Sequence, residues 1–333
     1  MTPQKLTDTF GRRFSYLRLS ITDACNFRCV YCLPNGYLKP KDREPDLSVV
    51  EIRNLVAAFA ELGTWKVRLT GGEPTLRRDL IAIATAVSSV DGIRKIALST
   101  NGYRLAHTAK QLKLAGVSAL NVSIDSLDPQ RFTKLTGSDK LDEILRGIDA
   151  AFAEGFKQIK INSVLMRDGF DENYEEEFHA FLDFVRRKPL TVRFIELMRT
   201  GKNQDLFQQQ HLSGSAITHR LASQGWIPQP RQEADGPAVE WGHPDYLGKM
   251  GVIAPYSKDF CQTCNRLRVT STGGLRLCLF AEGNFSLRHL LQRDTQRDEL
   301  KELIRSLLNK KEISHYLPEG RYGNNQTFSA IGG

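Results

Sequence analysis

Cysteine is absent from residues 33–260, and the six that are present stand in two triplets at either end of that gap, at 25, 29 and 32 and at 261, 264 and 278. A disulfide framework spreads its cysteines through a short secreted chain, so this pattern reads as reduced and metal-binding. Histidine is scarce, seven in 333 residues, and the first is His107, so no imidazole follows the first triplet closely. No apolar run approaches the ~18 residues of a membrane span. The first ten residues, with Lys5 and Asp8, lack the apolar core of a secretory signal. Long Lys/Arg blocks are missing too, so the formal charge of +8 does not read as a nucleic-acid footprint. Isolated arginines on expected strands suit a polyanionic small molecule better. These absences lead us to expect a soluble, cytoplasmic protein with no membrane and no nucleic-acid partner. The 41% hydrophobic and 25% charged composition is ordinary for a globular chain with a full core.

The informative stretch is Ser20 to Pro34, SITDACNFRCVYCLP, which sets Cys25, Cys29 and Cys32 in the pattern Cys-x3-Cys-x2-Cys. Three thiolates this close can turn onto one inorganic cluster. A 4Fe–4S cube usually takes four cysteines, so three leave one iron open, as an open zinc position takes water or substrate. A three-cysteine zinc site completed by a histidine is the alternative. The spacing, with Tyr31 before the last cysteine, resembles the loop of the radical S-adenosylmethionine (SAM) superfamily, in which the open iron chelates SAM.

Around this loop the chain alternates. Phe14–Ile21 reads as a strand, with Arg18 and Ser20 opposite Leu17 and Leu19. Ser48 and Glu51 form a capping box that opens a helix, which Gly63 ends. The strand Trp65–Thr70 runs into Gly71-Gly72-Glu73-Pro74. Two glycines there allow close approach of another molecule, and Glu73 offers a carboxylate to a cation. Helices near Asp79–Ser89 and Arg104–Ala115 flank the strand Arg94–Thr100. Val117–Ile124 is a strand, Asp128-Pro129 opens a short helix, and a helix through Ile144, Ile148 and Phe152 follows. The strands Phe156–Leu165 and Thr191–Glu196 enclose a further helix. Six strands alternating with helices mean a parallel sheet with crossover helices, fewer than the eight of a closed barrel. The expected fold is therefore α/β, a partial open (β/α)6 TIM-like barrel over residues 10–200. Its sites belong at the C-terminal strand ends, with Arg18 a mid-strand exception.

Past Gly201 the texture changes, with Gln208-Gln209-Gln210 and Pro228-Gln229-Pro230. Residues 201–333 read as a C-terminal α+β extension holding the second triplet. There Cys261-x2-Cys264 is followed by Arg266–Ser271 and Leu275–Leu279, two strands joined at Gly273-Gly274 that carry Cys278 back. Zinc completed by His243 or His289 stays open at this point. Arg266 and Arg268, two apart on a strand, face one way and suit phosphate oxygens.

Taken together, YLRLSITDACNFRCVYC, VRLTGGEPTLRRDL, STNGY, NVSIDSLD, the Lys160-Ile161-Asn162 strand end, RFIELM, FCQTCNRLR with Cys278, and Gly332-Gly333 resemble the GTP 3′,8-cyclase family of molybdenum-cofactor biosynthesis over nearly the whole chain. The resemblance implies two 4Fe–4S clusters, on Cys25, Cys29 and Cys32 and on Cys261, Cys264 and Cys278. Tyr31, Gly72, Ser123 and Met198 would contact SAM, with the GGEP motif holding its ammonium group. Arg18, Arg68, Ser99, Lys160 and the segment Arg266, Leu267, Arg268 would bind GTP, whose base would meet the second cluster's open iron. Ser99 stands where family members usually carry threonine, and it keeps the hydroxyl. The double glycine Gly332-Gly333 would reach the active site. The implied reaction turns GTP into 3′,8-cyclo-7,8-dihydro-GTP, the first step of molybdopterin synthesis, while SAM yields 5′-deoxyadenosine and methionine. Implied partners are a flavodoxin- or ferredoxin-type reductant, a cyclic pyranopterin monophosphate synthase acting on the product, and a second copy in a homodimer. The rivals are a peptide-modifying radical SAM enzyme and a non-catalytic metal protein that binds nucleic acid.

Overall fold

The computed structural model describes residues 5–169, 175–232, 235–323 and 328–329, so Gly332 and Gly333 lie outside the described residues. The first strand, β1 (Tyr16–Thr22), is followed by α1 (Val49–Glu61), β2 (Lys66–Gly71), α2 (Leu80–Ser88), β3 (Lys95–Thr100) and α3 (Leu105–Leu114). Next come β4 (Val117–Ser123), α4 (Pro129–Thr136), α5 (Leu141–Ala153), β5 (Ile159–Leu165), α6 (Glu175–Arg187) and β6 (Thr191–Glu196). The six strands are parallel and adjacent in chain order, as the alternation predicts.

Each strand has two unlike faces. Leu17, Leu19 and Ile21 of β1, Val67 and Leu69 of β2, and Ile96 and Leu98 of β3 point outward into one apolar core shared with Ile52, Leu55 and Phe59 of α1. A fully buried side chain of this size contributes about 1.5–3 kcal/mol. The alternate positions face inward, and they are Tyr16, Arg18, Ser20; Lys66, Arg68, Thr70; and Lys95, Ala97, Ser99. The barrel interior is thus polar and basic, where a closed eight-stranded barrel is filled with branched apolar residues.

The region after residue 201 adds α7 (Gln204–Gln210), α8 (Gly214–Ser223), β7 (Ile227–Pro228), β8 (Val239–Gly242), β9 (Lys249–Ile253), β10 (Arg266–Val269), β11 (Gly274–Arg276), β12 (Phe285–Ser286) and α9 (Arg297–Leu308). Its strands do not form a sheet of their own. β10 pairs in parallel with β1, and β9 in parallel with β6, on opposite edges of the six. The parallel run becomes β10-β1-β2-β3-β4-β5-β6-β9, with antiparallel β11 and β12 beyond one end and β8 and β7 beyond the other. Open edges expose unpaired backbone groups, and the C-terminal strands cover both. β9 and β10 are not neighbours in the strand order, so the barrel stays open. Among the described residues no helix is long and apolar enough to cross a membrane.

Several local expectations hold and one shifts. The Ser48–Glu51 capping box is present, Gly63 adopts a φ of +91°, and Asp128 caps α4 with Pro129 in its first turn. The strand expected from Phe156 begins later, at Ile159, because Glu154 caps α5 and Gly155 turns the chain with a φ of +78°. Lys160 therefore sits at the start of β5, not at a strand end, and points into the N-terminal end of the barrel.

Glu51 does more than cap. Its carboxylate also accepts from Arg288 Nε and Gln292 Nε2, both at 2.9 Å, joining α1 to the C-terminal region. Burial pushes this carboxyl up, but hydrogen bonds from Ser48, Gln292 and Arg288 outweigh it and bring it from 4.5 to about 2. A depressed carboxyl stabilises the fold above its unfolded value and loses that contribution as pH falls through its folded one. Glu51→Gln is expected to lower the denaturant midpoint at pH 7, with the gap to wild type closing between pH 4.5 and 2. A gap independent of pH in urea titrations would contradict this.

Candidate active site

The first triplet rides on the loop that leaves β1 and is held from two sides. Gly72 N donates to Thr22 O at 2.9 Å, and Glu73 N to Ala24 O at 2.7 Å. Gly71 has a φ of +141°, and a Cβ there would lie 2.1 Å from Thr22 O; one on Gly72 would lie 2.2 Å from Ala24 O. The close approach these glycines permit includes that of the chain's own cysteine loop, and both also line the cavity beside the triplet. Across the loop, Arg28 N and Val30 N donate to Thr136 O and Leu135 O at the end of α4. Tyr31 Oη donates to Asp125 Oδ2 at 2.7 Å, while Asp125 Oδ1 accepts from Val164 N.

Glu73 differs from its expected role. Its carboxylate is fully buried and accepts from Thr75 N, Thr75 Oγ1, Thr100 Oγ1 and Asn101 N, at 2.6–3.0 Å. It knots the turn after β2 to the end of β3, and those four donors, not a cation, occupy it.

Cys25, Cys29 and Cys32 line a cavity of about 170 Å³ together with Tyr31, Gly72, Ser99, Ser123 and Met198. The four residues expected at SAM are thus all in this cavity. Burial pushes the Cys25 thiol up to about 11 and Cys32 to about 12, and it raises Cys29 well above its usual value; Asp125 and then the neighbouring sulfurs add to the effect at Cys29, and Cys25 adds to it at Cys32. Three thiolates are unfavourable here unless a cationic centre offsets them, which fits an iron cluster. Backbone N–H groups already point at the sulfurs, from Asn26 and Phe27 to Cys25 and from Phe328 and Ser329 to Cys32. The latter pair brings the C-terminal segment to the first triplet.

The second triplet lines a narrower space of about 100 Å³ further into the barrel. Cys264 N donates to Cys261 O at 3.2 Å, and the antiparallel pair β10–β11 brings Cys278 back. Arg12 Nη1 donates to Cys261 O and Ile313 O, bracing the loop. Burial pushes the Cys264 thiol up, but Arg266 and Lys311 outweigh it and lower it to about 7. Among the described residues, no group of three or more His, Cys, Asp or Glu side chains is gathered closely enough to hold a single metal ion. A cube of irons and sulfides spaces its ligands more widely. His243, a candidate fourth ligand in the zinc alternative, packs on Trp226 and Tyr246, and the carbonyl of His289, the other candidate, accepts from Gln296. The histidine that does line the triplet's space is His315, buried between Phe260 and Phe280.

Facing the triplet is a row fixed by strand register, with Arg268 opposite Arg18 and Arg18 opposite Arg68. All three are buried. Burial lowers Arg18, and Arg268 and Arg68 add to it; burial and Arg266 bring Arg268 to about 10. Two residues down, on the same face, Arg266 lies opposite Tyr16, Tyr16 opposite Lys66, and Lys66 opposite Lys95. Burial pushes the Tyr16 phenol up, yet Arg68, Arg18, Lys66 and Arg266 outweigh it and bring it down to about 7. The field here strongly favours negative charge. Leu267 turns its side chain into the outer core, so any part it plays is through its backbone. Lys160 lines a third cavity that shares Arg68 and Arg193 with this one. Ser99 Oγ accepts from Arg68 Nη1 at 3.5 Å from the first cavity. Asn162, Ile195 and Met198 line both triplet cavities, so the two adjoin.

Sequence reasoning missed Tyr16, Lys66, Asn162, Arg193 and His315. Strict strand alternation extends to the first four, since each stands an even number of positions from Arg18, Arg68, Lys160 or Ile195. Nothing local marks His315.

The family model described as the radical SAM superfamily matches residues 19–185, half of the chain, and that described as Molybdenum Cofactor Synthesis C matches residues 190–317. Among solved structures, the chain is similar to Streptococcus suis SuiB bound to S-adenosylmethionine, at 13% identity and a TM-score of 0.60, covering 88% of this chain and 68% of that one. SuiB bound to its precursor peptide SuiA aligns at 14% identity and 0.60, covering 94% and 75%. Native anSMEcpe with AdoMet and the Cp18Cys peptide aligns at 14% and 0.53, covering 86% and 82%. At these identities the likeness is one of fold.

Gly72→Ala is expected to push the loop away from the end of β2 and weaken iron retention at the first triplet. After anaerobic reconstitution the variant should hold fewer irons per chain than wild type; an equal count would show that the loop tolerates the displacement.

Proposed function

We propose that this chain, which belongs to the radical SAM superfamily and carries a molybdenum cofactor synthesis C-terminal region, converts GTP to (8S)-3′,8-cyclo-7,8-dihydroguanosine 5′-triphosphate. The observation that carries the reading is the buried row Arg268–Arg18–Arg68 set against a three-cysteine site in the same space. A basic interior suits a polyphosphate, and a triplet short of one ligand suits an iron cluster that a nucleobase completes. A peptide substrate gives no reason for such a row.

The residues divide the work. Cys25, Cys29 and Cys32 hold the cluster that binds SAM, with Gly72, Ser123, Met198 and Tyr31 around the cofactor. Cys261, Cys264 and Cys278 hold a second 4Fe–4S cluster facing guanine. With a cluster and SAM bound, the first site would supply a 5′-deoxyadenosyl radical for hydrogen abstraction from ribose C3′; closing the C3′–C8 bond to the dihydro product would then take one further electron and one proton at guanine, the electron coming from the reductant. The protein's part is positioning. Arg18, Arg68, Arg266 and Arg268 grip phosphate and ribose oxygens through charge-assisted bonds worth roughly 1.5–3 kcal/mol each. Lys160 neutralises the far end of the triphosphate, and Ser99 steadies Arg68. Enclosure by β1–β6 and by the returning segment at Phe328 and Ser329 excludes water from the reacting carbon. A flavodoxin- or ferredoxin-type protein delivers electrons, and a cyclic pyranopterin monophosphate synthase takes the product.

Reconstituted anaerobically, the chain should bind about eight irons, two cubes of four, and should form the cyclised nucleotide and 5′-deoxyadenosine from GTP, SAM and a reductant by mass spectrometry. A preparation with both clusters full that leaves GTP intact would overturn the assignment. Arg18→Gln should weaken GTP binding about tenfold or more, one charge-assisted bond, while SAM affinity stays unchanged; calorimetry with each ligand separates the two. Removing Gly332 and Gly333 should abolish turnover with both clusters retained.

A further inference from the structure

We propose that Glu240 is the counter-charge that holds Lys160 until a polyphosphate displaces it, and that it thereby keeps smaller anions out of the basic end of the chamber. The inference rests on the nucleotide reading above, which makes Lys160 a phosphate ligand.

Glu240 reaches Lys160 from three strands further along the sheet, past β6 and β9. It lies on β8, opposite Gly251 of β9, and its carboxylate pairs directly with the Lys160 ammonium of β5. The pair is sheltered, with the lysine side chain 25% and the glutamate 15% exposed. It sits in a cavity of about 330 Å³ at the N-terminal ends of the strands, beside Lys66, Arg68, Lys95 and Arg193. Lysines 157 and 249 line the same cavity, and among the described residues its carboxylates are Glu240 and Asp235, so positive charge is in excess there. Arg68, Arg193 and Gly236 line both this cavity and the space of the second triplet. A nucleotide whose base meets that triplet therefore runs its phosphates toward Lys160.

A sheltered ammonium is costly without a partner. Burial lowers Lys160 from its usual value, Arg193 lowers it further, and Glu240 acts the other way. The carboxylate makes the bond that a phosphate oxygen would make. An incoming anion must replace it and leave Glu240 close to a new negative charge. A triphosphate that also grips Arg18, Arg68 and Arg268 gains enough elsewhere to do so. Pyrophosphate, with no base or ribose to anchor it, gains far less. Glu240 is thus a specificity residue that acts by competing with the incoming anion for Lys160.

The test is calorimetric binding of GTP and of pyrophosphate to the anaerobically reconstituted full chain, as wild type, Glu240→Gln, Lys160→Met and the double variant. Glu240→Gln is expected to bind pyrophosphate about tenfold tighter, the size of one charge-assisted bond, and GTP tighter in the same direction. In the Lys160→Met background the same change should have no effect. Glu240→Asp keeps the charge on a shorter arm and should fall between wild type and Glu240→Gln, which covers the case in which the amide variant folds poorly. Unchanged or weaker pyrophosphate binding in Glu240→Gln would overturn the inference, as would a tightening that persists without Lys160. Wild type that takes up pyrophosphate but not GTP would sink the nucleotide reading, while the Lys160-dependent comparison would still decide the role of Glu240.

Discussion

Placing positive charges side by side away from water is unfavourable, yet strand register does this three times over with Arg268, Arg18 and Arg68. The arrangement persists because each arginine is anchored by a strand whose other face is sealed into the outer core, through Leu267, Leu17 and Val67. The hydrophobic burial of the outer face holds the cations where solvent cannot relax them. Arg68 and Arg18 in turn bias the Tyr16 phenol toward its charged form, and Arg266 and Lys311 do the same for the Cys264 thiol. Catalysis by positioning needs this kind of preorganised field, since nothing has to reorganise when the charged ligand arrives.

The opposite end of the barrel is organised by tightness of backbone contact. Gly71 and Gly72 let the cysteine loop lie against the end of β2, and Glu73 locks that turn to β3 through four donors. Asp125 does the corresponding work from just beyond β4, taking the Tyr31 hydroxyl. The first triplet is therefore braced from outside its own loop, by the turn after β2 and by Asp125. Asn162 on β5, Ile195 on β6 and Met198 just after β6 form the boundary shared with the second triplet's space.

The C-terminal region is built into the barrel, not hung from it. β10 places the second triplet next to β1, and β9 with β8 places Glu240 against Lys160 from the far edge. One segment thus contributes to both sides of the same chamber. Fixing the two edges through one polypeptide also couples them, because a shift of β8 moves a charge that the inner cations feel.

What could be read in advance was what depends on near neighbours in the chain. The Cys-x3-Cys-x2-Cys spacing, the Ser48–Glu51 cap, the Asp128-Pro129 start and the strand alternation that turns Arg18 inward are set by bond geometry and local sterics, and the structure keeps them. The occupation of Glu73 by Thr75, Thr100 and Asn101, the place of Lys160 deep in the barrel, the seat of His315 beside the second triplet and the pairing of Lys160 with Glu240 were decided only by tertiary structure. Most of these contacts join residues tens of positions apart, and which of them form depends on strand order and register. Those are settled by how the whole chain buries its apolar surface, and no short window of sequence contains that information.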